Sequence, residues 1–431
     1  MWGISLSAPL GIVERIVFVC FIIFFINSFY DEDRVFSNIY STFSLCYNQI
    51  MQILPIASGK GGVGKSLLSA NLAIALGQAG KKVVLADLDL GASNLHLALG
   101  HNVKNNSIGT YLTDKSSFQS IIEATEYENV SFIAGDSQIP GLTTLKAAQK
   151  TKLLRNFHSI DADFLILDLG AGTHQIILDM FLQSPQGILV TAPTVTATLD
   201  GYLFLKNSVF RLLNTTFKRG TSGHAYLEQL KQNSDAMKSI YIPKLVDNLF
   251  AVDPVNTALF KTRMNQFKPR LVMNMIDDPK DADRAQRIRN SCSQYLGMDL
   301  EYLGLMYRDQ LQDKALSSRL PVIIYKPNCL LSQAIYRIAE KVLAAEPRKF
   351  DDEFTKAIDS AASFMQAEED ANEDYNLKLS GLNDLIGSGQ LSTGELIDMI
   401  KTQAYEIGQL RKENNLLKSK IVKAASQGFR L

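Results

Sequence analysis

The stretch Ile53-Leu54-Pro55-Ile56-Ala57-Ser58-Gly59-Lys60-Gly61-Gly62-Val63-Gly64-Lys65-Ser66 sets what to expect of the rest of the chain. Gly59 to Ser66 fits G-x-x-x-x-G-K-[ST], a phosphate-binding loop. The spacing has a physical basis. Glycines let successive backbone N–H groups turn inward around a phosphate with no Cβ in the way. Lys65 then reaches the β- and γ-phosphates, and Ser66 offers a hydroxyl to Mg2+. Ser66 also opens a helix, whose N-terminus favours anions. Ile53 to Ala57 is apolar and reads as a buried strand, with Pro55 awkward in it. Beyond the loop, Leu67, Leu68, Leu72, Ala75, Leu76 and Ala79 recur at helical spacing, and Gly80 closes the run. Strand, loop and helix in that order favour a nucleotide site over an ordinary glycine-rich turn.

Lys60, just after the first glycine, narrows the class. The loop resembles the deviant Walker A loop of the MinD/ParA/FlhG class, K-G-G-x-G-K-[ST]. The resemblance covers about Gln52 to Ala345 and implies an ATPase that uses Mg2+. It implies that Lys60 reaches across a dimer interface to the partner's nucleotide. It implies that Gly59, Gly61, Gly62, Val63, Gly64, Lys65, Ser66 and Leu67 wrap the phosphates.

Three further segments resemble parts of that site. Asp87-Leu88-Asp89-Leu90-Gly91-Ala92-Ser93-Asn94 matches switch I, D-x-D-x-G-x-x-N. By resemblance, Asp89 orients the attacking water and Asp87 supports the magnesium shell. Lys60, Lys65 and Asp89 then form the expected catalytic group. Phe164 to Asp168 is an apolar strand ending in an acid, a Walker B arrangement in which Asp168 holds Mg2+ with Ser66. Gly172 follows in a D-x-x-x-G switch II, where its backbone can swing toward a γ-phosphate. Asn274, in Arg270-Leu271-Val272-Met273-Asn274-Met275, is the expected reader of the adenine edge. Pro321 is the expected wall of the base pocket.

Composition agrees with an ATPase domain and excludes little else. The chain has 431 residues, room for one large α/β domain with appendages. Lysine plus arginine and aspartate plus glutamate number 44 each, so bulk charge gives no support to nucleic-acid binding. Cys20, Cys46, Cys292 and Cys329 form no C-x-x-C pair, so neither zinc nor an iron–sulfur cluster is indicated. Reduced thiols in the cytoplasm are the default.

Repeated strand–helix alternation predicts a mostly parallel sheet with helices on both faces. Strands are expected at Lys82–Ala86, Val130–Ala134, Asp163–Leu169, Gln186–Ala192, Arg270–Met275 and Tyr302–Met306. Helices are expected at Ser107–Ala124, Thr143–Phe157, Ala197–Leu213, Leu227–Val252, Asp281–Leu296 and Leu330–Ala345. The ATPase domain is taken as 51–346.

The two ends read differently. Ile16 to Ile26 is continuously apolar but shorter than the ~20 residues of a spanning helix. Residues 1–50 read as an anchor or uncleaved signal, as a buried helix, or as a frame opened before a natural start at Met51. The last is preferred, because Met51 directly precedes the loop strand. After Pro347, residues 347–394 are acidic and read as a solvated helix or linker. A heptad pattern covers 395–425, with Ile400, Ile407, Asn414 and Ile421 at a and Leu396, Gln403, Leu410 and Leu417 among d. Ile at a with Leu at d predicts a two-stranded parallel coiled coil, and Asn414 fixes its register.

The function expected is an ATP-dependent dimerisation switch, cytoplasmic or peripheral at a membrane, acting with a protein activator or cargo. By the resemblance alone, it would place flagella, a division site or a polar complex. A DNA-segregating ATPase and a membrane-anchored tyrosine kinase of related fold are the alternatives, with nucleic acid the less favoured partner.

Overall fold

The computed structural model describes residues 51–89, 93–103, 106–136, 145, 147–232, 241–345, 360–387, 401 and 408. The apolar run at 16–26 and nearly all of the heptad segment lie outside these residues. No helix among the described residues is long and apolar enough to cross a membrane.

Eight strands form one sheet in the order β3-β4-β2-β5-β1-β6-β7-β8. They are β1 (Gln52–Ala57), β2 (Val83–Leu88), β3 (Ile122–Ala124), β4 (Val130–Ile133), β5 (Phe164–Leu169), β6 (Ile188–Thr191), β7 (Arg270–Ile276) and β8 (Glu301–Tyr307). All neighbours pair in parallel except β3 with β4. Every residue of β1, β2 and β5 is buried, as expected of parallel strands covered on both faces. The local puzzle of Pro55 has a simple answer. The ladder between β1 and β6 begins only at Ile56, so on that flank Pro55 has no partner for the N–H it lacks.

Helices cover both faces. On one side α1 (Lys65–Gln78) and α13 (Leu330–Ala344) pack on the sheet through Leu68, Leu72, Leu76, Ile335 and Ile338. On the other lie α4 (Ala147–Phe157), α5 (Gln175–Phe181) and the long α6 (Val195–Thr216). Short helices α2 (Leu95–Leu99) and α3 (Ile108–Leu112) follow β2. Outside α6 lie α7 (Ser222–Gln232), α8 (Ile242–Val252), α9 (Pro254–Gln266) and α10 (Asp283–Ser291). Near β8 are α11 (Leu311–Ser317), α12 (Val322–Tyr325) and α14 (Ser360–Gly387).

Three expectations are corrected, and one helix is new. Residues 107–124 are not one helix: α3 is capped by Ser107 and ends at Leu112, and the chain then enters β3. The reading of Leu227–Val252 as one helix fails, because Tyr241 N-caps a new helix and Pro243 stands in its first turn. An unforeseen helix, α9, follows with Asp253 as N-cap. The acidic segment after 347 is not all solvated. In α14, Phe364, Ala367 and Ala371 are buried against the sheet, with Phe364 against Tyr302. The Tyr307 hydroxyl donates to Ala371 O at 2.8 Å, and Asp374 and Asp370 pair with Arg337 and Lys341 of α13. Two of the acids that suggest a free helix therefore pair with the neighbouring helix.

Candidate nucleotide site

β1 sits between β5 and β6 at the centre of the sheet, and the loop follows its carboxyl end. This is where open α/β sheets place ligands. Gly62 and Gly64 turn the loop with φ of +78° and +89°, a conformation that L side chains rarely adopt. Two glycines also permit close approach. A Cβ at Gly59 would overlap the backbone of Asp200 in α6, and one at Gly64 would overlap the Asn274 amide.

The loop is tied to the acid of β5. Lys65 Nζ is 2.9 Å from Asp168 Oδ1, and Ser66 Oγ donates to Asp168 Oδ2 at 2.7 Å. Ser69 Oγ, one turn along α1, donates to Asp168 Oδ1 at 2.8 Å. Asp168 is thus reached by a cation and two hydroxyls inside the domain. Ser66 and Asp168 together offer the oxygen donors that a hard cation takes. The cradle and this donor pair fit a magnesium-bound phosphate. Ser69 was missed by sequence reading; its spacing of three from Ser66 places it on the same helix face.

Asp87 and Asp89 take different positions. Asp87 is buried and braces switch I: its carboxylate accepts from Ser93 Oγ at 2.7 Å, Asp89 N at 3.0 Å and Leu95 N at 3.2 Å. These bonds hold the carboxylate on its own loop. Asp89 is half-buried, and Gly170 of the β5 exit lies against it. Burial raises the pKa of both carboxyls; Lys65 lowers that of Asp89, and Asp168 adds a smaller upward push to each. Leu90 to Ala92 lie outside the described residues. Gly172, at φ +98°, donates its N–H to Ser58 O at 3.1 Å and so docks switch II on the strand before the loop.

Asn274 is at the site but is turned to the loop. Its Nδ2 donates to Val63 O at 2.9 Å and its Oδ1 accepts from Met275 N at 2.8 Å. These two bonds brace the loop. Met275 holds φ at +60° beside it, in a register shift between β7 and β8. Pro321 is buried at the N-cap of α12, and Ile323 N donates to Asn71 Oδ1 of α1 at 3.0 Å, which seats this loop over the phosphate helix. Leu67 lies half-buried on the first turn of α1. Lys60 is exposed, and its Nζ is 2.9 Å from Thr196 Oγ1 at the start of α6.

The cysteines lie elsewhere. Cys292 is fully buried and burial pushes its thiol up to about 12; Cys329 is also buried. Among the described residues no group of three or more His, Cys, Asp and Glu could hold a metal.

Comparison with known proteins agrees with the loop. The family model named ParA, described as NUBPL iron-transfer P-loop NTPase, matches residues 49–204. The septum site-determining protein MinD of Helicobacter pylori is 33% identical over 150 residues, which are 34% of this chain and 55% of that protein. MinD of Escherichia coli K12 is 28% identical over 180 residues, 41% of this chain and 64% of that one. The chain thus spans little more than half the length of the curated relatives it matches. MinD of Pyrococcus horikoshii complexed with Mg-ADP is 22% identical, with 68% of this chain and 96% of that one covered at a TM-score of 0.47. The loop, the acid of β5 and the family match all fall on one stretch, and residues 49–204 are thereby a P-loop NTPase match of the MinD/ParA type.

Proposed function

We propose that the chain is a slow ATPase that pairs with a second copy when ATP and Mg2+ are bound. The observation that carries this reading is the surface around Lys60. Beside the exposed lysine, α6 presents Val195, Leu199 and Leu203 at 63%, 54% and 37% exposure. These residues stand at i, i+4 and i+8, a single helix face. A second copy on this face would cover the stripe and bring Lys60 to a neighbouring nucleotide.

Gly59 to Leu67 would hold the phosphates, and Ser66 with Asp168 would hold Mg2+, which offsets phosphate charge when bound. Lys65 would exchange Asp168 for phosphate oxygens. Asp89 would accept a hydrogen bond from the attacking water and keep it in line with the γ-phosphorus. The water oxygen bonds to that phosphorus as its bond to the β–γ bridging oxygen breaks, giving ADP and phosphate. Separation of the pair would follow.

The curated relatives named above are septum site-determining proteins. By that likeness the switch would govern placement of a division site, flagella or a polar complex, with an activator or cargo protein. The iron transfer in the family description is not adopted: the two described cysteines are buried on separate elements, and Cys20 and Cys46 are far apart in sequence. Sedimentation of Asp89→Ala with ATP and Mg2+ tests the switch. A stable dimer is expected; a monomer at every nucleotide condition, with normal turnover, would sink it.

A further inference from the structure

The corner where α6 gives way to α7, and where α8 turns into α9, carries a second group of exposed apolar side chains. Phe250, Val252, Val255 and Leu259 are exposed there at 52%, 42%, 79% and 45%. They flank the one-residue connection at Asp253. The residues after α6 pack into the same corner: Ser222 Oγ donates to Val252 O, Gly223 N donates to Asp253 Oδ2, and Phe217 meets Phe260. The exposed Lys218 and Arg219 stand in the chain between Phe217 and Ser222, which make these contacts. Lys261 Nζ stands 5.2 Å from the centre of the Phe250 ring. It also borders a groove of about 280 Å3 between α8 and α9, lined by Ile242, Val246, Phe260 and Met264.

Charge in this region departs from the neutral whole. Among the described side chains of residues 217–266, five are basic (218, 219, 244, 261 and 263) and three are acidic (228, 247 and 253). One of those acids, Asp253, is buried and accepts from Asn256 and Gly223. An exposed apolar tip in a basic setting suits a lipid surface that takes apolar side chains between anionic headgroups. A nucleic-acid backbone would use the lysines but gain nothing from exposed Val255 and Leu259.

Position strengthens the argument. α6 starts beside Lys60 at the carboxyl end of the sheet, and its 22 residues carry the chain about 33 Å to the opposite end. α9 there feeds β7 at its first residues, through Lys268 N to Pro185 O. Gln52, where β1 begins, bonds Gln186 in the same neighbourhood. The tip therefore stays clear of the nucleotide and of any copy laid over Lys60.

We propose that this tip, Phe250, Val252, Val255 and Leu259 with Lys218, Arg219 and Lys261, docks the domain on a bilayer of anionic lipid. The proposal does not depend on nucleotide turnover. The test is cosedimentation of the full chain with vesicles of phosphatidylcholine alone or mixed with phosphatidylserine. Binding to the mixed vesicles only is expected, falling as salt rises. Lys218→Glu with Arg219→Glu should weaken it at least tenfold, at about fivefold per charge removed and more on reversal. Val255→Asp with Leu259→Asp, both surface changes, should weaken it similarly while circular dichroism and nucleotide binding stay unchanged. Equal binding by wild type and both variants would overturn the proposal. So would equal binding to both kinds of vesicle, or loss of self-association in the variants without loss of vesicle binding.

Discussion

Lys65 Nζ lies 2.9 Å from Asp168 Oδ1, with the two side chains 7% and 1% exposed. The lysine that contacts phosphate in this loop class is thus paired with the acid expected to hold the metal. Both groups can reach a magnesium-bound phosphate without leaving one small region. Removing one partner of a buried pair costs about 3–5 kcal/mol, because the other charge loses its compensation.

Lys65→Ala should therefore lower the melting temperature without nucleotide and abolish ATP binding in calorimetry. Adding Asp168→Ala should restore part of the stability and none of the binding. Tight ATP binding by the single variant would contradict the loop assignment.

Gly64→Ala should damage the cradle through two separate causes, its left-handed backbone and overlap with the Asn274 amide. A destabilisation of about 1–3 kcal/mol is expected from overpacking. Asn274→Ala in the same chain removes the overlap but not the backbone strain, so urea denaturation should show partial recovery. A purely additive pair of effects would mean that the two residues do not press on each other.

Leu199→Glu places a charge in the exposed stripe beside Lys60. ATP affinity should be unchanged, and the nucleotide-dependent dimer should weaken by at least about tenfold. Light scattering with ATP and Mg2+ reads the outcome; an unaltered dimer would move the interface elsewhere.

Asp89 has a raised pKa, chiefly from burial, with Asp168 adding to it. Water orientation uses the ionised carboxylate, so turnover should fall with acid at a pH above the ordinary aspartate value of 3.8. The stability effect has the opposite sense. The folded chain holds this proton more tightly than the unfolded chain, so the resulting stabilisation is present below 3.8 and lost as pH rises through the raised value. Asp89→Asn should flatten that contribution in urea midpoints measured across acid pH.

Phe364→Ala should cost about 3–5 kcal/mol, because this α14 side chain is 2% exposed and packs on Tyr302. A change under 0.5 kcal/mol, the range of ordinary surface sites, would show that α14 is not part of the folded unit.

Much of the site could be read before any coordinates. Gly59 to Ser66 carries a local chemistry of backbone amides, lysine and hydroxyl that needs only residue order. Asp168 was recognisable because an apolar run ended in an acid. The hydrogen bonds that Asp87 and Asn274 make were not recognisable, because a carboxylate or an amide has the same letter whatever it faces. Which donors reach it depends on the path of Ser93, Leu95 and Val63 in space.

The sequence by itself determined a loop that turns around phosphate, the strand and helix that hold it, and an alternating pattern that forces helices over a parallel sheet. These follow from local backbone preference and hydrophobic periodicity. Only the tertiary structure decided that Lys65 pairs with Asp168, that α14 lies on β8, and that the chain after α6 packs at the turn from α8 to α9. Such contacts join residues far apart along the chain, and their energies depend on burial and distance, which no local pattern records.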